Sequence, residues 1–363
     1  MRRIGLIGAS GAVGRSVLRH LRQAEVGHLR LGGRRADALQ GLARGDDEVV
    51  ALDLTDTDAL GRFCADCAVV VNAAGPTTLV MDRIARAAIA AGADYVDAAG
   101  DEPVHERLSD VSHGDRCLLL SAGMMPGLTA LLPRHLASSL DGPLRLACFI
   151  GGLDRFTPTA AGDYVASLGN GYGQPLAAWR GRVVPRALAV RQDEDVPFFP
   201  DRVAAMPYLS QENVRIARRL GLVAGDWYNV FAGRHLREAF GRARAQLGTA
   251  APADAIKTLC EAAALDLVGC EPYQLLVYRL EAGSVSRSLM LRATDSYALS
   301  GAMAAFAALD LRDGTIPPGL HFAGEIMDPG STMARLRRSK EVIALEIVDG
   351  VAAGEAAFEV GAL

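Results

Sequence analysis

Residues 3–14 read Arg3-Ile4-Gly5-Leu6-Ile7-Gly8-Ala9-Ser10-Gly11-Ala12-Val13-Gly14, a short apolar run and then three spaced glycines. The run predicts a buried strand over residues 3–8, and residues 12–21 continue with helical periodicity. Gly8 permits the tight turn between them, Gly11 lets a pyrophosphate approach the backbone, and Gly14 allows helix and sheet to pack closely. Free N–H groups and a partial positive charge at the helix N-terminus suit phosphate. The glycine spacing differs by one residue from the commonest dinucleotide fingerprint. A strand before and a helix after carry the reading.

The same alternation extends outward. Residues 29–32, 49–52, 68–72, 95–97 and 117–121 repeat the strand signature, with helical stretches between them; residues 81–91, alanine-rich and closed by Gly92, are the clearest. Short buried strands alternating with helices predict an α/β, doubly wound parallel sheet, the Rossmann arrangement. After about residue 140 the rhythm changes. Residues 144–150 and 182–184 read as strands, and 273–281 with 285–294 as a hairpin about Ala282-Gly283-Ser284. Helices are expected over 212–220, 235–247 and 253–267, so a separate α+β mixed-sheet domain is inserted. The small-residue helix expected over 296–309 returns to the first domain. The expected division is a dinucleotide-binding domain over 1–125 with a returning part at 295–330, a substrate domain over 126–294, and a C-terminal segment over 331–363.

Composition narrows the class. The chain has 363 residues, 50% of them hydrophobic and 22% charged, enough apolar material for large cores. A formal net charge of −4 argues against nucleic acid as a partner. Cys64, Cys67, Cys117, Cys148, Cys260 and Cys270 are scattered, which suggests a reducing compartment, the cytoplasm, rather than a disulfide framework. Cys64 and Cys67 have redox or metal spacing without a second Cys/His pair nearby, so a plain helical reading is preferred and no metal site is expected. Arg2-Arg3 before an apolar run imitates a signal peptide, but the run is glycine-rich and broken by Arg15. The uncharged stretch 117–133 contains Gly123, Pro126 and Gly127, reading as strand, turn and helix rather than a membrane span. His20 and His28 are expected at the surface.

The turn after the second strand selects the nucleotide. An acid about 20 residues past the glycines accepts from the ribose hydroxyls in NAD sites. Here that place holds Leu31-Gly32-Gly33-Arg34-Arg35, and paired guanidiniums suit a 2′-phosphate instead. NADPH is therefore expected over NADH, with Ser10 as an added donor and Asp53-Leu54 at the adenine edge. Asn72-Ala73-Ala74-Gly75-Pro76 closes the fourth strand, and Ala98-Ala99-Gly100-Asp101 the fifth. Ala122 to Gly127 closes the sixth. Ligands of open α/β sheets bind outside these carboxyl ends.

The segments GASGAVG at 8–14, LGGRR at 31–35, VVNAAGP at 70–76, GADYVDAAGD at 92–101 and SAGMMPGL at 121–128 resemble, in this order, the saccharopine dehydrogenase-like family. The resemblance continues more weakly around 149–153, 207–212 and 314–325. It implies a Rossmann domain with an inserted mixed-sheet domain used for substrate and for homodimer formation. It also implies nicotinamide chemistry at a carbon–nitrogen bond. Some relatives are trans-acting enoyl reductases on carrier-bound chains. Others are stand-alone thiazolinyl imine reductases of siderophore assembly, whose length this chain matches.

Lysine scarcity prunes the rivals, since only Lys257 and Lys340 are present. Neither lies four residues after a tyrosine, and no Glu-Lys-Pro follows the fifth strand. A Schiff-base lysine is disfavoured for the same reason. The expected reaction is hydride transfer from NADPH to a C=N carbon, in a small or carrier-tethered thiazoline made by a nonribosomal peptide synthetase. Tyr164, Tyr172, His105 and Asp101 are the candidate proton donors to the nitrogen. A saccharopine- or opine-type oxidoreductase, an enoyl reductase and a non-catalytic NADPH-binding regulator remain as alternatives.

Overall fold

The computed structural model describes residues 3–167, 172–245 and 252–351. The strands of the first third are β1 (Arg3–Ile7), β2 (Leu29–Gly33), β3 (Glu48–Ala51), β4 (Cys67–Asn72), β5 (Asp94–Asp97) and β6 (Cys117–Leu120). There follow β7 (Leu144–Leu153), β8 (Gly173–Pro175), β9 (Ala178–Trp179), β10 (Val183–Val184), β11 (Arg191–Glu194), β12 (Val203–Ser210) and β13 (Ala224–Phe231). The last four are β14 (Tyr273–Ala282), β15 (Val285–Ala293), β16 (Gly319–Phe322) and β17 (Val342–Val351). The chain divides into two compact units, Met1–Leu131 with Tyr297–Leu336, and Leu132–Ser296 with Arg337–Leu363.

The first unit is a parallel seven-stranded sheet in the order β16-β6-β5-β4-β1-β2-β3. Its central strands are buried on both faces, which accounts for their continuous Val, Leu and Ile runs. The helix Ala12–Gln23 turns Val17, Leu18 and Leu21 inward and leaves Arg15 and Arg19 exposed. On it lies the helix Ser296–Arg312, where Gly301 meets Ser16, whose hydroxyl donates to the Ala298 carbonyl at 2.9 Å. Small residues make that close approach possible. Arg30, buried in β2, donates to the carbonyls of Phe63 at 2.6 Å and Ala65 at 2.5 Å and pairs with Glu48 at 2.8 Å. It thereby satisfies the last carbonyls of the helix Thr57–Cys64.

Three local expectations change. The stretch 81–91 is not one helix: Met81 has φ +47° and separates Thr77–Val80 from Arg83–Ala90. Pro76 starts the first turn, and Asp82 pairs with Arg86 at 2.5 Å at the start of the second helix. His20 is buried rather than on the surface, edge-on to Phe306 at 5.6 Å. The helix Pro329–Leu336 belongs to the first unit, while β17 joins the second.

The second unit is a ten-stranded mixed sheet with the main path β10-β9-β13-β7-β14-β15-β17; β12 pairs with β13, β8 and β11. Among the described residues only β7 and β13 run parallel there. The hairpin β14–β15 turns at Gly283 as its sequence predicts, and β17 pairs along β15. Helices Pro158–Ser167, Arg234–Ala245 and Pro252–Asp266 enclose an aromatic cluster about Phe240. The Asp266 carboxylate accepts from the backbone N–H groups of His235 at 2.9 Å and Leu236 at 2.8 Å. One helix end thus caps the start of another. The expected helix residues 246 and 247 lie outside the described residues.

Candidate functional site

The carboxyl ends of the first unit's strands converge where the sheet order reverses, between β1 and β4. Gly8 has φ +81°, and a Cβ there would lie 2.6 Å from the Ala73 carbonyl carbon. The turn after β1 therefore rests on the turn after β4. Ala73 N–H donates to the Ile7 carbonyl at 2.9 Å, and Gly8 N–H to Gly32 at 2.9 Å. Three strand ends are tied together through backbone alone.

Ser10, Gly11, Ala12 and Val13 lie at the start of the helix Ala12–Gln23, with Gly11 exposed at the N-cap. No side chain caps this helix and no acid stands in its first turn. A Cβ at Gly11 would meet only the Gly8 carbonyl, at 3.2 Å, so the space above it is open. Arg15 folds back to donate to the Ser10 carbonyl at 3.1 Å. These are the features a pyrophosphate needs, and the loop fits one. Gly33 is half-buried at the end of β2, and Arg34 and Arg35 are both exposed beyond it. Neither side chain makes a hydrogen bond or ion pair with any described residue. They are available to a phosphate.

Asp53 and Leu54 follow β3. Hydrogen bonds from the Thr55 N–H and hydroxyl, helped by Arg34 and Arg83, hold the Asp53 carboxyl below its ordinary range. Arg83 thus joins Arg34 around this end of the site, a residue the sequence reading did not single out.

The turns after β4, β5 and β6 are locked by one buried group. Asp97 accepts from the Tyr95 hydroxyl at 2.6 Å, Asn72 Nδ2 at 3.0 Å, and the N–H groups of Ala99 at 2.9 Å and Gly100 at 2.8 Å. Asn72 Oδ1 in turn accepts from Ala74 N–H at 2.9 Å, and its carbonyl from Ala98 N–H at 3.1 Å. Gly100 is buried, its carbonyl accepting from Ser121 N–H at 2.7 Å and Oγ at 2.9 Å. It shapes the turn from behind, whereas Ala73, Ala74, Pro76 and Ala98 are half-buried and Gly75 is exposed. Met124 N–H donates to Ser300 Oγ at 3.2 Å, fixing the turn after β6 to the returning helix. Asp97 was missed because an acid at a strand end reads as turn chemistry. Tyr95 and Asp97, two apart in a strand, share one face, and that was the available signal.

The proton-donor candidates are placed as follows. Asp101 is half-buried at the N-cap of the helix Glu102–Leu108, and His105 stacks on Phe322 with centroids 4.8 Å apart. In the second unit, Tyr164 packs on Phe240 at 4.4 Å within the aromatic cluster. Tyr172 is half-buried and its carbonyl accepts from Gln211 N–H at 3.1 Å. Cys64 and Cys67 do not share a helix as expected: Cys64 ends the helix Thr57–Cys64 and Cys67 opens β4. Both are buried, and burial pushes the Cys64 thiol up to about 12, so this pair is structural. Among the described residues no three His, Cys, Asp or Glu side chains could hold a metal, and no helix is long and apolar enough to cross a membrane.

A search of curated protein sequences finds no match. Among solved structures, the apo histidine-tagged saccharopine dehydrogenase (L-Glu forming) of Saccharomyces cerevisiae aligns over 97% of this chain and 100% of its own, at 16% identity and a TM-score of 0.67. Uronate dehydrogenase from Agrobacterium tumefaciens aligns over 28% of this chain and 41% of its own, at 23% identity and TM-score 0.23. A Rossmann-fold NAD(P)-binding family protein from Shigella flexneri aligns over 33% and 66%, at 16% identity and TM-score 0.26. The fold, a parallel Rossmann sheet with a second mixed-sheet domain, is that of saccharopine dehydrogenase. Residues 4–114 match the family model of the saccharopine dehydrogenase NADP-binding domain, and NADP(H) is accordingly the cofactor of the first unit.

Proposed function

We propose that this chain is an NADPH-dependent reductase that adds hydride to the carbon of a C=N bond in a thiazoline-type intermediate, small or carrier-tethered, of nonribosomal-peptide siderophore assembly. One observation carries the choice of substrate. The turns after β4 and β6 hold no charged residue over 72–81 and 117–133, and present exposed apolar side chains, Leu79 at 65% and Met125 at 51%. Such a surface suits a neutral ring better than a carboxylate-rich amino acid.

Bound NADPH supplies the hydride. The chain's own residues do the rest. The helix N-terminus at Gly11 holds the pyrophosphate, and Arg34 and Arg35 hold the 2′-phosphate. The locked turns at 72–76 and 98–100 form the floor for the nicotinamide half. Hydride addition leaves charge developing on nitrogen, and one of Asp101, His105, Tyr164 or Tyr172 donates the proton there.

A second reading, oxidoreduction of a saccharopine- or opine-type amine, is favoured by the full-length fold likeness to the yeast enzyme. It needs convergent cations for carboxylates. Arg180, an obvious candidate, is already bonded to Asp226 at 2.6 Å and to the Trp179 carbonyl at 2.7 Å.

The test is NADPH consumption with an aryl-thiazoline, run beside an enoyl thioester and beside saccharopine with NADP⁺. Turnover of the thiazoline alone is expected. Turnover of saccharopine alone would favour the second reading, and of the enoyl thioester alone a C=C reductase. Tight NADPH binding with no turnover of any imine would leave a regulator.

A further inference from the structure

Asp97 is a carboxylate 2% exposed at the end of β5. Its two oxygens accept from four groups, Tyr95 Oη and Asn72 Nδ2 on Oδ2, Ala99 and Gly100 N–H on Oδ1. In this arrangement all four donate to it, so that the carboxylate's lone-pair positions are filled by donors. All four are also neutral. No arginine, lysine or histidine pairs with Asp97 among the described residues. A buried charge ordinarily has a counter-charge, because desolvation is costly and hydrogen bonds offset it only in part. The absent counter-charge asks for an explanation, and the location offers one. Asp97 lies directly beneath the turns at Asn72–Ala74 and Ala98–Gly100.

We infer that Asp97 sets the balance between the two redox forms of the cofactor: its buried negative charge favours the cationic nicotinamide of NADP⁺ over the neutral ring of NADPH. The inference rests on the placement of the nicotinamide half over these turns, proposed above. In a reductase it lowers the free energy of the oxidised cofactor, and so favours hydride leaving the ring. The hydrogen-bond network has a second consequence, since it fixes three turns in one geometry and pre-orders the floor before the cofactor arrives.

A merely structural role and a charge role differ in what they move. Damage to the floor weakens both cofactor forms alike. Loss of the charge changes the ratio of their affinities. The experiment measures Kd for NADP⁺ and for NADPH by titration calorimetry in the wild type, Asp97→Asn and Tyr95→Phe. In Asp97→Asn the preference for NADP⁺ relative to NADPH is expected to fall by roughly tenfold, the scale of a unit charge acting through a partly polar medium. In Tyr95→Phe the carboxylate keeps its charge but loses its shortest neutralising donor, so the relative preference for NADP⁺ is expected to rise.

An unchanged ratio in Asp97→Asn would overturn the inference and leave the NADP(H) assignment standing. Should Asp97→Asn fail to fold, an unchanged or reduced relative preference in Tyr95→Phe would overturn it equally. If the wild type binds neither form, the cofactor assignment falls and this inference falls with it.

Discussion

Gly14 lies against Gly8 so closely that a Cβ at position 14 would stand 2.1 Å from the Gly8 carbonyl oxygen. Gly11, three residues before it, has only that same oxygen near its own Cβ position, at 3.2 Å. The two glycines therefore fail differently when substituted. Gly14→Ala forces helix and turn apart and is expected to cost about 1–3 kcal/mol of stability, as overpacking does. Gly11→Ala is expected to fold with near-wild-type stability and to lose NADPH affinity by at least ~10-fold, since its methyl stands where the pyrophosphate approaches. Denaturant melts beside calorimetric titration separate the two. A Gly11→Ala protein with normal NADPH affinity would remove the loop from the site.

The Arg34 and Arg35 side chains are exposed and make no hydrogen bond or ion pair with a described residue, Arg34 acting only through its charge on Asp53, so their removal should be almost silent in the stability of the apo protein. Changing both to Ala is expected to raise KM for NADPH by ~10–100-fold, the worth of one or two charge-assisted hydrogen bonds, while NADH is nearly unaffected. Equal losses with both cofactors would cancel the 2′-phosphate assignment.

What the sequence disclosed follows the range of the forces involved. The β1–turn–helix unit was legible because Gly8, Gly11 and Gly14 answer to local backbone and packing demands. The hairpin at Gly283 was legible for the same reason. By contrast β12, β13 and β17 were not read as strands. β17 finds its partner in β15, far back along the chain, and β13 runs parallel to β7, so neither pairing leaves a local turn signal. His20 went unread because Phe306, which covers it, lies at the other end of the chain. Asp97 shows the limit most clearly. Its chemistry comes from Asn72, Tyr95 and two backbone N–H groups, and only the folded sheet brings Asn72 to it.

Asp154 provides a pH test of the second unit. It accepts from Ser296 N–H at 2.8 Å and Ser296 Oγ at 2.6 Å. Burial is the largest influence on its carboxyl and raises it above the ordinary 3.8, with Asp295 adding to the rise and the Ser296 bonds opposing it. The folded state then holds a proton that the unfolded chain releases in the window just above 3.8. Stability from this group is gained as pH falls through the raised value and lost as pH rises through it. Asp154→Asn keeps an acceptor for Ser296 and removes the titration. The stability of the wild type relative to the variant should therefore increase as pH is lowered from neutrality toward 4, measured by urea unfolding at each pH. A difference that stays flat, or shrinks, would show that Asp154 does not titrate as its burial dictates.

The proton donor is the last unassigned role, and the packing of each candidate prescribes the substitution that tests it. Tyr164 lies on Phe240, so Tyr164→Phe keeps the aromatic cluster and deletes only the hydroxyl. His105 stacks on Phe322, so His105→Phe keeps the stack and deletes the ring nitrogens. Asp101 makes no side-chain capping bond to its helix, so Asp101→Asn keeps the shape of the residue and removes only the carboxylate. The Tyr172 carbonyl accepts from Gln211 N–H, and Tyr172→Phe leaves that bond intact. Because Tyr164 is committed to a core and His105 to a stack, the loss is expected at Tyr172. A neutral phenol is a usable donor at pH 7, and its removal should lower kcat by ~10²–10⁴-fold. NADPH affinity should be unchanged, because the group acts on substrate nitrogen and not on the cofactor. The assay is single-turnover NADPH oxidation with a released thiazoline analogue. A fall confined to one of the other three variants would move the role there. Full activity in all four would make water the proton source.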